Sequence, residues 1–136
     1  MRSTQQISPE KVYDLFPHQN APVDNTFFCI VIEDGRAHPY IRTGDAYQYI
    51  DDGAFVELLS TIHTGCLRHS DFPYSAREVQ FTLKVDPYKL VDRVVSDSRT
   101  GQLYREIVWC WGHMACGGSI FVPVSPDEVK KLRKKQ

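Results

Sequence analysis

The sequence predicts an α+β domain in which a strongly curved antiparallel sheet wraps one long central helix. Three observations carry that expectation. Tyr49–Arg68 (YIDDGAFVELLSTIHTGCLR) is the only long segment with a clean apolar stripe at helical spacing, formed by Phe55, Leu58, Leu59, Ile62 and Cys66. Thr26–Ile32 before it, and most of the chain from Ser75 to Val124 after it, is rich in β-branched and aromatic residues punctuated by turn residues. The chain has 136 residues, 42% hydrophobic and 24% charged, the balance of one globular domain of ordinary size.

In order, Ser8–Pro9–Glu10 opens a short helical pattern, with Ser8 as N-cap and Pro9 in the first turn. Val12, Leu15 and Phe16 form its apolar side and Pro17 stops it; His18–Asp24 is loop. Thr26–Ile32 is a strand, Glu33–Arg36 a turn around Gly35, and Ala37–Arg42 the returning strand, with Pro39 arguing for an edge or a kink. Asp45 caps one helical turn, Ala46–Tyr49, before the main helix. Inside that helix Gly65 costs about 1 kcal/mol relative to alanine and marks an early end or close packing.

After a loop over His69–Pro73, Ser75–Val85 places Val79, Phe81, Leu83 and Val85 on one face and Gln80, Thr82 and Lys84 on the other. Leu90–Val95 and Leu103–Trp111 follow as strands. In the second, Leu103, Arg105, Ile107, Trp109 and Trp111 share one face, and Tyr104, Glu106, Val108 and Cys110 the other. Gly112–Met114 turns into a last strand, Ala115–Val124, where Gly117–Gly118 marks a bulge or a close backbone approach. Ser125–Glu128 is a capping box with Pro126 at its first helical position, opening a terminal helix with Val129 and Leu132. The expected organisation is an N-terminal segment over 1–24, the main domain over 25–124, and a basic helical tail over 125–136.

A formal net charge of −1 gives no positive field for nucleic acid, and the run Lys130, Lys131, Arg133, Lys134, Lys135 reads as a solvated terminus. No apolar run approaches the roughly 18 residues of a membrane span, and the first residues lack a signal-peptide core. With four cysteines and no secretory signal, free thiols and a cytoplasmic setting are expected. His63, Cys66 and His69, and again Cys110, His113 and Cys116, recur every three residues, but neither trio has a CxxC core and no metal is expected. A sheet covered by one helix leaves edges and a face open, so pairing with itself, as a homodimer or a dimer of dimers, is the expected assembly.

The helix start Asp51–Asp52–Gly53 and the following Ala54–Thr61, together with the closing phrase LYREIVWCWGHMACGGSIFVPV, resemble the hot-dog fold of small acyl-CoA thioesterases over roughly 27–124. The resemblance implies a thioester of coenzyme A or of an acyl carrier protein as substrate, with no further cofactor. It implies attack by water on a carbonyl polarised by the N-terminus of the central helix at Gly53. The family's acidic residue aligns with Ser60, so Asp52 or Glu57 would act as base and Ser60 would orient the water. Asp51, Thr61 and Trp109 would contact substrate. Read from the residues alone, Asp51 and Asp52 are an N-cap and a first-turn acid, Glu57 is a solvated helix residue, and Trp109 belongs to the core or a dimer seam. A non-catalytic ligand-binding or assembly protein, and a dehydratase or isomerase on the same fold, are the alternatives.

Overall fold

A computed structural model of the chain describes residues 7–16, 26–33, 35–86, 89–109 and 117–134. It contains two four-stranded antiparallel sheets. The first comprises β1 (Val12–Asp14), β2 (Thr26–Glu33), β3 (Arg36–Thr43) and β4 (Ala46–Tyr49) in that order. The second comprises β5 (Arg77–Asp86), β6 (Leu90–Asp97), β7 (Leu103–Trp109) and β8 (Gly118–Val124), again in chain order. Between the sheets in sequence lies α1 (Asp52–Ile62), and α2 (Pro126–Arg133) closes the chain.

This overturns the expected architecture. The hot-dog arrangement needs one curved sheet around a long helix; here there are two sheets, each a simple meander, and α1 has 11 residues. At 1.5 Å per residue that is about 16 Å, three turns, too short to be an axis for eight strands. The helix is cut at both ends. Upstream, Tyr47 and Tyr49 belong to β4, which folds back on β3 through a two-residue Gly44–Asp45 turn with Gly44 at φ 62°. The expected helical turn over Ala46–Tyr49 is therefore a strand. Downstream, α1 ends at His63, whose extended backbone caps it, and Gly65 at φ 92° carries the chain away.

The first sheet also takes in the expected N-terminal helix. Only Pro9–Lys11 makes a single 3₁₀ turn; Val12–Asp14 then pairs with Val31, Ile30 and Cys29 of β2. A segment this short gains more from ladder hydrogen bonds on an existing strand than from one isolated helical turn. Pro39 sits inside β3, opposite Ile30. The expected turns at Pro17–Asp24, at Asp34, at Pro87 and over Gly112–Met114, and the positions Cys110, Trp111, His113, Cys116 and Lys135, lie outside the described residues.

The main core lies where the two sheets and α1 meet. Leu15, Phe28, Ile30 and Ala37 from the first half pack with Phe55, Val56 and Leu59 of α1 and with Leu90, Ile107, Trp109, Ile120 and Val122 of the second sheet. Strand alternation explains the second sheet's contribution: Leu103, Arg105, Ile107 and Trp109 point one way along β7, and Tyr104 and Glu106 the other. Farther along the inner face, Val129 and Leu132 of α2 cover Val94 and Val124, joined by Phe81 and Leu83. In β5 the expected alternation is broken by irregularities between Val79 and Phe81 and between Thr82 and Lys84, leaving Val79 and Val85 exposed.

Polar groups also cross the core. Arg105 and Asp92, 3% and 0% exposed, form a bidentate ion pair, and Arg105 donates in addition to the Leu15 carbonyl. The Tyr13 hydroxyl donates to the same Asp92 carboxylate. Burial, and then the neighbouring negative charge, push the Tyr13 hydroxyl far above its ordinary pKa. Burial works against the Arg105 charge, but Asp92 more than offsets it and the guanidinium stays charged.

No helix among the described residues is long and apolar enough to cross a membrane.

Candidate functional site

The segment after α1 places the site. Leu67 pairs with Phe121 of β8 through two backbone hydrogen bonds of 2.9 Å, so the chain clips itself to the edge of the second sheet. Before Phe121 that clip is absent, and a cleft of about 420 Å³ opens there. Its walls are the first turns of α1 (Asp52, Gly53, Val56), the turn Arg68–Ser70, and Gly117–Ser119 at the start of β8.

One wall is organised by Asp52. Asp51 is the N-cap, its carboxylate accepting from the Ala54 N–H at 3.0 Å. Asp52, the first helical residue, is turned instead toward the sheet: Oδ1 accepts from the Trp109 indole N–H at 2.7 Å and Oδ2 from the Gly117 N–H at 3.1 Å. Trp109 is fully buried and Phe55 packs edge-on against it, their ring centroids 5.3 Å apart. Gly118 makes this approach possible. A Cβ at that position would stand 2.6 Å from the Trp109 ring, closer than atoms can come.

The opposite wall is organised by Glu106, a carboxylate 1% exposed on the outer face of β7. It accepts from Arg93 Nε at 2.8 Å and from Arg77 Nη1 at 3.0 Å. His69 covers it, Nε2 lying 3.3 Å from the Glu106 Oε2 atom. The imidazole stacks on Phe121, centroids 5.5 Å apart, and the Tyr74 hydroxyl lies within 3.1 Å of both ring nitrogens. Phe72 stacks beneath on Phe121 at 4.4 Å. His69 is thereby fixed in orientation at the cleft, over a buried acid.

Of the residues singled out in the sequence, Asp52 and Gly53 line the cleft. Gly53 has no special backbone conformation, and a Cβ there would meet only Asp51 at an ordinary 3.5 Å. Asp51 is spent on capping, and Trp109 lies beneath the cleft and holds Asp52. Glu57, Ser60 and Thr61 are exposed farther along α1; the Ser60 hydroxyl donates to the Val56 carbonyl at 2.8 Å and Thr61 to Glu57 at 3.0 Å. This corrects the expected thioesterase chemistry. The Ala54 N–H at the helix N-terminus meant to polarise a thioester carbonyl is bonded to Asp51, and no hot-dog frame surrounds it.

His69, Arg68 and Glu106 carried no sequence signal for such a site. Arg68 stood at the end of the expected main helix and His69 at the start of a loop, weighed only with His63 and Cys66 as a metal trio; Glu106 was one polar residue on a strand face. Among the described residues no three His, Cys, Asp or Glu side chains gather as metal ligands. His63 instead packs against Phe16, with ring centroids 4.7 Å apart, and burial lowers its pKa. Cys66 donates to the His63 carbonyl at 3.2 Å, and burial pushes its thiol up to about 11. Comparison with protein-family models, with curated proteins and with solved structures finds no match to this chain.

Proposed function

We propose that the protein binds a small polar molecule in the cleft between α1, the Arg68–Ser70 turn and the start of β8. The observation that carries this reading is preorganisation on both walls of one opening. Asp52 is clamped by Trp109 and Gly117, and His69 is held over the buried Glu106. Fixing charged and hydrogen-bonding groups in advance removes part of the ordering cost of binding. The volume falls in the range of roughly 300–1,000 Å³ usual for small-molecule sites.

The test is an amide-resolved NMR screen of the full chain against a library of small polar compounds. Binders are expected to shift the amides of Gly53, Ser70 and Ser119. Ser70→Trp, which puts a bulky ring on an exposed cleft residue, is expected to abolish those shifts without unfolding the chain. A library with no binder at these amides, or shifts that survive Ser70→Trp, overturns the reading.

A further inference from the structure

We propose that the cleft selects an anion: a small molecule ending in a carboxylate or a phosphate, held by Arg68 and the hydroxyls of Ser70 and Ser119. The inference rests on the reading of the cleft as a ligand site and adds the charge of what enters it.

The argument is a count of donors and acceptors. Both oxygens of Asp52, the only carboxylate lining the cleft among the described residues, already accept from N–H groups, and its charge sits at the N-terminus of an 11-residue helix, where the dipole stabilises it. Glu106, behind His69, faces two guanidinium groups, those of Arg77 and Arg93, so that cluster carries one positive charge in excess. Arg68 lines the cleft, is exposed, and makes no ion pair among the described residues. Ser70 and Ser119 add hydroxyls that make no side-chain hydrogen bond among the described residues. Of the other acids close by along the chain, Asp51 is engaged in capping α1 through the Ala54 N–H, and neither it nor Glu57 or Asp71 lines the cleft.

What remains open to a ligand is thus a set of donors, the Arg68 guanidinium and the hydroxyls of Ser70 and Ser119, beside a carboxylate whose two oxygens already accept; the His69 nitrogens are engaged by Glu106 and Tyr74. An oxyanion would pair with Arg68 and the serine hydroxyls together, and charge-assisted bonds of that kind are about twice as strong as neutral ones.

The experiment is an NMR titration of the full chain with four probes of one shape: benzoate, phenyl phosphate, benzamide and benzylamine. At least one anion is expected to move the Gly53, Ser70 and Ser119 amides with an affinity about tenfold or more above that of benzamide, and benzylamine weaker still. The ranking of benzoate against phenyl phosphate identifies the oxyanion. Arg68→Gln is expected to weaken the anion about tenfold with the remaining spectrum unchanged, and Arg68→Lys to restore part of the loss. Benzamide or benzylamine binding in the cleft as tightly as the anions overturns the charge preference and leaves the ligand site standing. Anion binding unaffected by Arg68→Gln also overturns it. If neither these four nor the broader library reaches the cleft amides, the site itself is refuted.

Discussion

Asp52 does at the scale of one residue what two are usually needed for: it supplies a negative charge to the first turn of α1 and ties that turn to the second sheet through Trp109 and Gly117. Asp52→Ala removes both acceptors and leaves the buried indole N–H unpaired. A loss of about 2 kcal/mol is expected, read as a lower urea midpoint with an unchanged slope. Gly118→Ala attacks the same contact from the other side, because a methyl group 2.6 Å from the Trp109 ring forces the ring to move. Its expected signature is a changed tryptophan emission spectrum together with lost stability. Gly53→Ala, by contrast, meets only an ordinary contact and is expected to leave stability unchanged or raise it by up to about 1 kcal/mol. The pair Gly117–Gly118 read in the sequence as a bulge or a close approach; at Gly118 the register to β7 is regular and the approach is to a ring on that neighbouring strand, which the sequence did not show.

At the scale of elements, pattern served where an element was long or its caps were local. The stripe Phe55, Leu58, Leu59, Ile62 and Cys66 located α1 but carried it past its end at Ile62, and the capping box Ser125–Glu128 gave α2, whose Ser125 side chain accepts from the Glu128 N–H as expected. The alternation along Leu103–Trp109 gave the two faces of β7. Pattern failed at Val12–Asp14 and Ala46–Tyr49, three and four residues long, because segments that short take their conformation from the strand already beside them. It failed again for β5, where two irregularities shift the faces. The end of α1 carries a pH consequence. Burial lowers the His63 pKa from its ordinary 6.5, so the unfolded chain binds the proton more tightly than the folded one. Stability is therefore full above about pH 6.5 and falls as the pH drops through that value toward the lower folded pKa. Urea midpoints at about pH 7.5 and 5.5 should show this loss, and His63→Phe should reduce it.

At the scale of the molecule, the two sheets are joined by charge as well as by core packing. Asp92 and Arg105 of the second sheet hold Tyr13 and the Leu15 carbonyl of the first. Arg105→Met alone leaves Asp92 buried without its cation, an expected cost of about 3–5 kcal/mol, whereas Asp92→Leu with Arg105→Met should cost less than either single change. A double-mutant cycle measured by urea unfolding checks the inequality. Why the cleft was only half legible follows from the same long-range order. Asp52 and Gly53 belong to a helix start that any reader of the sequence would mark. Arg68 and His69 become a wall only because Leu67 clips to Phe121, and Glu106 matters only because that clip lays an imidazole over it. The expected pairing of copies carries forward as a proposal: exposed Val79 and Val85 on the edge strand β5 suit it, and Val79→Lys with Val85→Lys should lower the sedimentation-derived mass if the pairing uses that edge.

The bonds from Tyr13 to Asp92 and from Leu15 to Arg105 span 79 and 90 residues of sequence. During synthesis β1 can pair with β2 as soon as that strand has emerged, but the ties to Asp92 and Arg105 wait for β6 and β7. Locking the first sheet to the second is thus a late step of folding, and loop-closure entropy makes it slow relative to the two meanders, each of which assembles from neighbours. A chain arrested before Arg105 would present a first sheet without its lock, the form most exposed to chaperones and proteases.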